Sequence, residues 1–240
     1  MFYKYETHLH TLQASACGST SASDYIKPYF EAGYSGIIVT DHFFGGNTAV
    51  PHNLEWKERV EQYCSGYELA LETAIKMNEE LGIGGTDKEF KVFFGIEQTF
   101  RGDDYLVYGL SKQYLLEHPE IEAMTHQQLF EAVNSCGGLM IQAHPFRFRD
   151  YMRAMHLYPR QVHGVEILNS GNLIEENELA KMYASYFDFP VTAGSDIHNV
   201  EKLIRGDMGL SVTGMSFETP LKDIFDYARR IKNKEGKIIQ

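Results

Sequence analysis

The chain has 240 residues, 43% hydrophobic, 23% charged and 13% aromatic, a balance that excludes disorder, collagen and coiled coil and suits one domain of generous size. Its 22 Lys plus Arg stand against 33 Asp plus Glu, a formal net charge of -11. That disfavours a nucleic-acid partner, because phosphate-backbone binders carry a basic stripe. Against this acidic background the chain holds 10 histidines, roughly twice the number expected for an average protein of this length.

Three cysteines, Cys17, Cys64 and Cys136, form no CxxC. No disulfide framework is expected, and a reducing cytoplasm fits. The first residues lack the apolar core of a signal peptide, and no run approaches the ~18 apolar residues of a membrane span.

In chain order, residues 2–10 read as a first strand. The helix expected over 23–31 contains Pro28, which predicts a kink or a late start. Residues 36–40 form a second apolar strand, followed by the longest amphipathic segment, 56–80, with Val60, Cys64, Tyr67, Leu71, Ile75 and Met77 at near-helical spacing. Strands follow at 92–95 and 105–108. Thr125 and Gln128 form a capping box opening a helix through Val133, closed by Gly137-Gly138. Strands at 138–142, 165–168 and 191–193, with helices at 173–187 and 221–234, complete the pattern. Strand and helix alternate about seven times, which predicts one α/β domain over 1–240 with a parallel sheet, open or closed.

Potential metal ligands gather at the ends of these strands. The first ends in His8-Leu-His10, whose spacing of two places both imidazoles on one face. The second ends in Thr40-Asp41-His42, the third in Glu97, the fifth in His144-Pro145 and the seventh in Asp196-Ile-His198. Each has a bland reading alone: a half-exposed strand pair, a helix N-cap for Asp41, a strand end before proline, a loop. Together they converge, because the C-terminal ends of barrel strands share one mouth. Imidazoles with carboxylates suit Zn, Mn or Fe. Their number exceeds what one tetrahedral ion can use, so two or three divalent ions are expected, with Glu97 as bridge. Two ions ~3.5–4 Å apart suit phosphoester hydrolysis by a metal-bridging hydroxide.

In this order the motifs resemble those of the PHP (polymerase and histidinol phosphatase) family, over residues 5 to about 210. The resemblance implies a distorted (β/α)7 barrel with its metal centre at the C-terminal ends of the strands. It implies that His8, His10, Glu97 and Asp196 hold a first ion, that Glu97 bridges to a second bound by His144, and that His42 and His198 serve a third. Two departures stand out. Cys17 occupies the place of a third-site Asp or His, where a thiolate could bind Zn or Fe or a small Cys could simply fill a loop. No His lies between Glu97 and His144, and Asp104 is the substitute at hand.

Arg147 and Arg205 follow two of the ligand motifs and could grip phosphate bidentately. Glu166 is placed to orient a ligand or pair with an Arg, and His163 falls at the opposite barrel end. His52, His118, His126 and His156 read as surface residues, and the 15 Tyr and 15 Phe as packing. The function expected is a metal-dependent phosphomonoesterase acting on a small phosphate ester, resembling histidinol phosphatase, with Glu97, Asp196 and His198 in the reaction centre. The alternatives are a phosphotyrosine-protein phosphatase, a nuclease of the same family, or a non-phosphate binuclear-metal hydrolase.

Overall fold

A computed structural model describes residues 2–150, 152–201, 203 and 212–239. Its strands are β1 (Tyr3–Leu9), β2 (Gly36–Val39), β3 (Lys91–Phe100), β4 (Asp103–Tyr108), β5 (Leu139–Gln142), β6 (Gly164–Asn169), β7 (Val191–Gly194), β8 (Gly214–Phe217) and β9 (Lys237–Ile239). They form one sheet in the order β7-β6-β5-β4-β3-β2-β1-β8-β9. The sheet curls until its β7 side meets β1: His10 N–H donates to Ile197 O at 3.0 Å, and Leu9 and Ile197 form a parallel bridge. The result is a nearly closed barrel.

The sheet is not all parallel. β3 turns directly into β4 through Arg101 and Gly102, at φ 56° and 93°, the paired positive φ of a tight hairpin. β4 therefore runs antiparallel to both β3 and β5, and β8 antiparallel to β1. No helix separates β3 from β4, which breaks the expected strand–helix alternation there and departs from a regular (β/α)7 count.

The helices are α1 (Ala22–Glu31), α2 (Trp56–Leu81), α3 (Lys112–Glu117), α4 (His126–Ser135), α5 (Ile174–Tyr186) and α6 (Ile224–Lys232). α1 starts at Ala22 and runs through Pro28, so the late start expected from the proline does not occur. α4 opens on the expected capping box, Gln128 N–H donating to Thr125 Oγ1 and Thr125 N–H to Gln128 Oε1. Along α2 the buried face is Val60, Tyr63, Cys64, Gly66, Ala70 and Ala74, whereas Ile75 is 48% exposed. Small residues let this helix sit close to the sheet. A Cβ at Gly66 would stand 2.4 Å from Thr11 Oγ1 and 3.2 Å from Asp41 Oδ2, so any larger residue would push α2 off the floor of the mouth. Aromatic side chains fill the rest, with Tyr5, Tyr25, Tyr29, Tyr63, Tyr105, Tyr108 and Tyr227 fully buried. Among the described residues no helix is long and apolar enough to cross a membrane.

Candidate metal centre

Ten of the residues singled out by sequence, His8, His10, Cys17, His42, Glu97, Asp104, His144, Arg147, Asp196 and His198, meet at the C-terminal mouth of the barrel. Arg205 lies outside the described residues. Four donor groups have ligand atoms within 4.8 Å of one another: His8–Glu97–His144, His8–His10–Asp196, His42–Glu97–Asp104 and His10–Cys17–His42–His198. They open into a cavity of about 490 Å³, also lined by Gly46, Asn47, Thr99 and Gly102.

Glu97 is the centre. Its Oε1 lies 3.1 Å from both His8 Nε2 and His144 Nε2, while Oε2 lies 3.3 Å from His10 Nε2 and 2.8 Å from His42 Nδ1. Asp196 Oδ1 stands 3.5 Å from His8 Nε2 and 3.1 Å from His10 Nε2. Donors ~2.0–2.1 Å from one tetrahedral ion are separated by such distances. Moreover, His42 Nδ1 and Glu97 Oε2 are buried and make no hydrogen bond despite lying 2.8 Å apart. Two buried donor atoms this close without a hydrogen bond are spaced as ligands of one cation are. This donor set fits divalent metal.

The backbone is shaped to aim these groups. His144 and Asp196 carry φ of 27° and 52°, left-handed values that cost a side-chain-bearing residue energy and recur where function fixes geometry. Behind the ligands stands a layer of buried polar partners. Glu166 Oε1 accepts from His8 Nδ1 at 3.0 Å, and its Oε2 accepts from His144 N–H and Asn169 Nδ2, both at 2.9 Å. That bond leaves His8 Nε2 as the free nitrogen facing Glu97. Ser15 Oγ bonds His10 Nδ1 at 3.1 Å and donates to Asp41 Oδ1 at 2.6 Å. Asp41 also accepts from Thr11 N–H and Oγ1–H. Asp41 is thus a buried anchor for the loop after β1, not a helix N-cap, because the next helix begins only at Trp56. Glu6, fully buried on the same face of β1 as His8, accepts from the Thr7, His8 and Ser195 amides and from Tyr29. The sequence signal for Glu6 was its place two residues before the HxH pair.

The electrostatics follow. Burial works against ionisation of Glu97, yet the surrounding His42, His8 and His10 hold it well below the usual carboxylate range. Asp196 is held low against burial by His8 and Arg147. Burial, with Glu97 nearby, pushes Asp104 up to about 6. Burial and the neighbouring His42 bring His10 down to about 3. Burial opposes ionisation of Cys17, but hydrogen bonds with His198 and His42 bring its thiol down to about 7.

Arg147 reaches the mouth, where Nη1 pairs with Asp196 Oδ2 at 2.7 Å and Nε and Nη2 donate to Asn172 and Asn169. His163 sits before β6, its Nδ1 accepting from Met140 N–H, away from the mouth as expected. His126 is a correction. It is 7% exposed, stacked on Tyr158 and edge-on to Tyr105, because the first turn of α4 packs inward against the β3–β4 hairpin.

No family model matches the sequence, and no curated protein matches it. Solved structures do match. The chain has the fold of PHP-like phosphoesterases. A two-domain protein from Bacteroides vulgatus, containing a predicted PHP-like metal-dependent phosphoesterase, aligns with all of this chain at TM-score 0.69 and 18% identity. The chain spans 65% of that protein's length. A Bifidobacterium adolescentis protein, assigned by inference as a metal-dependent phosphoesterase, aligns over 97% of this chain and 96% of its own at TM-score 0.56 and 16% identity. An amidohydrolase from Chromobacterium violaceum, with bound sulfate and no metal, aligns over 99% of this chain and 98% of its own at TM-score 0.52 and 12% identity.

Proposed function

We propose that this protein is a metal-dependent phosphoesterase of the PHP type, hydrolysing the phosphate monoester of a small metabolite. The observation that carries the reading is the division of Glu97, whose two oxygens face two different pairs of histidines. A carboxylate so placed suits a bridge between two cations. His8, His10, Asp196 and His144 would complete that pair of sites, with His42 standing between the Glu97 Oε2 side and a further ion held with His198. Bound divalent ions supply Lewis acidity toward phosphoryl oxygens and make water acidic near neutral pH.

The chain's own residues do the rest. Glu166, Ser15 and Asp41 fix the imidazole orientations, so that nitrogen lone pairs face the cavity. Glu97, Asp196 and His198 form the reaction centre. Arg147 is held by Asp196, Asn169 and Asn172, and its remaining N–H groups can receive an anionic oxygen at the cavity wall. The Chromobacterium neighbour holds a bound sulfate, a tetrahedral dianion like phosphate. That neighbour is an amidohydrolase, which keeps amide hydrolysis as the second reading, since activated water is not specific for phosphorus.

Chelator-stripped protein reloaded with Mn2+, Zn2+ or Fe2+ should hydrolyse p-nitrophenyl phosphate and leave p-nitroacetanilide intact. Cleavage of the anilide alone would favour the second reading. Metal-independent hydrolysis, or full activity in His10→Ala, would overturn both.

A further inference from the structure

The donor groups at the mouth differ in chemistry. Three contain carboxylates, whereas His10–Cys17–His42–His198 contains none and adds the only sulfur. We propose that these four residues form a thiolate–imidazole site that takes a soft or borderline ion, Zn2+, Fe2+ or Co2+, and discriminates against Mn2+ and Mg2+. This rests on the proposal that the mouth binds metal, and adds a ligand and a selectivity to it.

The loop that carries Cys17 is built for the position. Ser15 N–H returns to Thr11 O and Gly18 N–H to Ser15 O, both at 3.0 Å, while Ala16 N–H donates to Asn47 O at 2.9 Å. Ser19 donates to His198 O through both N–H and Oγ–H, each at 2.9 Å. The loop can fold this tightly because Gly18 has no side chain: a Cβ there would stand 2.4 Å from Thr11 O. Thus residues on both sides of Cys17 are tied to the segments that carry His10 and His198. The sulfur lies within 4.8 Å of ligand nitrogens of His10, His42 and His198. His198 Nδ1 is engaged by Asp196 O at 2.7 Å and His10 Nδ1 by Ser15 Oγ, so each offers Nε2 alone.

Thiolate with imidazole suits Zn2+, Fe2+ and Co2+, whereas Mn2+ and Mg2+ prefer oxygen ligands. A competition follows. His10 has one free nitrogen and belongs both to this site and to His8–His10–Asp196. An ion held by Cys17 therefore draws His10 away from Asp196, and the identity of the metal decides which set of donors is filled.

The test uses the full chain, stripped with chelator and titrated with Co2+. The expected result is a sulfur-to-cobalt charge-transfer band in the near ultraviolet together with visible d–d bands. Cys17→Ser should lose the charge-transfer band and keep the d–d bands. In parallel, alkylation of Cys17 by iodoacetamide should slow about tenfold or more with Zn2+ but not with Mn2+. Exposed Cys136 should react throughout as an internal control. If Cys17→Ser fails to fold, the alkylation series on the unaltered chain decides alone. Bound Co2+ with no charge-transfer band, or Cys17 alkylated equally with and without Zn2+, would overturn the thiolate site and leave the metal centre standing. No Co2+ binding at all would overturn both.

Discussion

At the base of the barrel, Arg230 is 7% exposed and well engaged: Asp226 pairs with it at 2.7 Å, and the carbonyls of Thr219 and Pro220 also accept from it. Asn78 likewise exchanges two hydrogen bonds with the backbone of Phe90. At the mouth, equally buried groups are gathered without being satisfied, as His42 Nδ1 and Glu97 Oε2 show. Buried atoms without a partner occur elsewhere too, Tyr183 Oη and Thr192 Oγ1 among them, but at the mouth they stand among clustered imidazoles and carboxylates, so the base reads as structure and the mouth as a receptacle for cations. The two ends should therefore fail differently when altered.

Glu97→Ala should abolish Mn2+ binding and lower turnover more than about 100-fold, exceeding the effect of losing an outer-sphere partner. Calorimetric metal titration and an unchanged circular dichroism spectrum would check it. Retained Mn2+ binding would erase the contrast between the two ends. Asp226→Ala, at the base, leaves Arg230 buried without its carboxylate and should cost about 3 kcal/mol of stability in urea, with metal affinity unchanged.

The effect of metal on stability sharpens the difference. A single ion at 100 times its Kd should stabilise the native chain by about 2.7 kcal/mol. With Mn2+ the shift in thermal midpoint should persist in Asp226→Ala and vanish in Glu97→Ala. Glu166→Gln keeps the shape of the group behind His8 but weakens its grip, and metal affinity should fall about 10–100-fold. An affinity within twofold of the native chain would show that Glu166 does not orient His8.

The smallest effect concerns His163 near the base. Burial, with Lys232 nearby, brings its pKa down from 6.5 to about 4. The unfolded chain thus takes up the proton first, and stability drains away as pH falls from about 6.5 toward 4. In His163→Gln that slope should flatten in urea titrations across the window, without change in metal binding.

Much of the mouth was legible because its motifs sit at strand ends, where two-residue spacing fixes the face, as with His8 and His10. Asp104 and Cys17 could be placed only by comparison with a family pattern, yet both reach the donor clusters. The antiparallel course of β4 was not legible. An apolar strand reads the same in either direction, and the reversal depends on Arg101 taking a left-handed φ that its residue type does not advertise. The second layer was legible only at Glu166, expected to orient a ligand but with no ligand named. Asp41 and Thr11 are 30 residues apart, and Glu166 and His8 are 158 apart, so no local spacing reveals their contact. His126 was misread because a histidine in the first turn of a helix carries no sign of which way that turn packs.

The central claim, that the mouth is a metal centre organised by Glu97, is tested most directly by anomalous scattering from crystals soaked in Zn2+. Strong peaks should appear about 2.0–2.2 Å from Glu97 oxygens and from the Nε2 atoms of His8 and His144. An empty mouth at saturating Zn2+ would contradict the account.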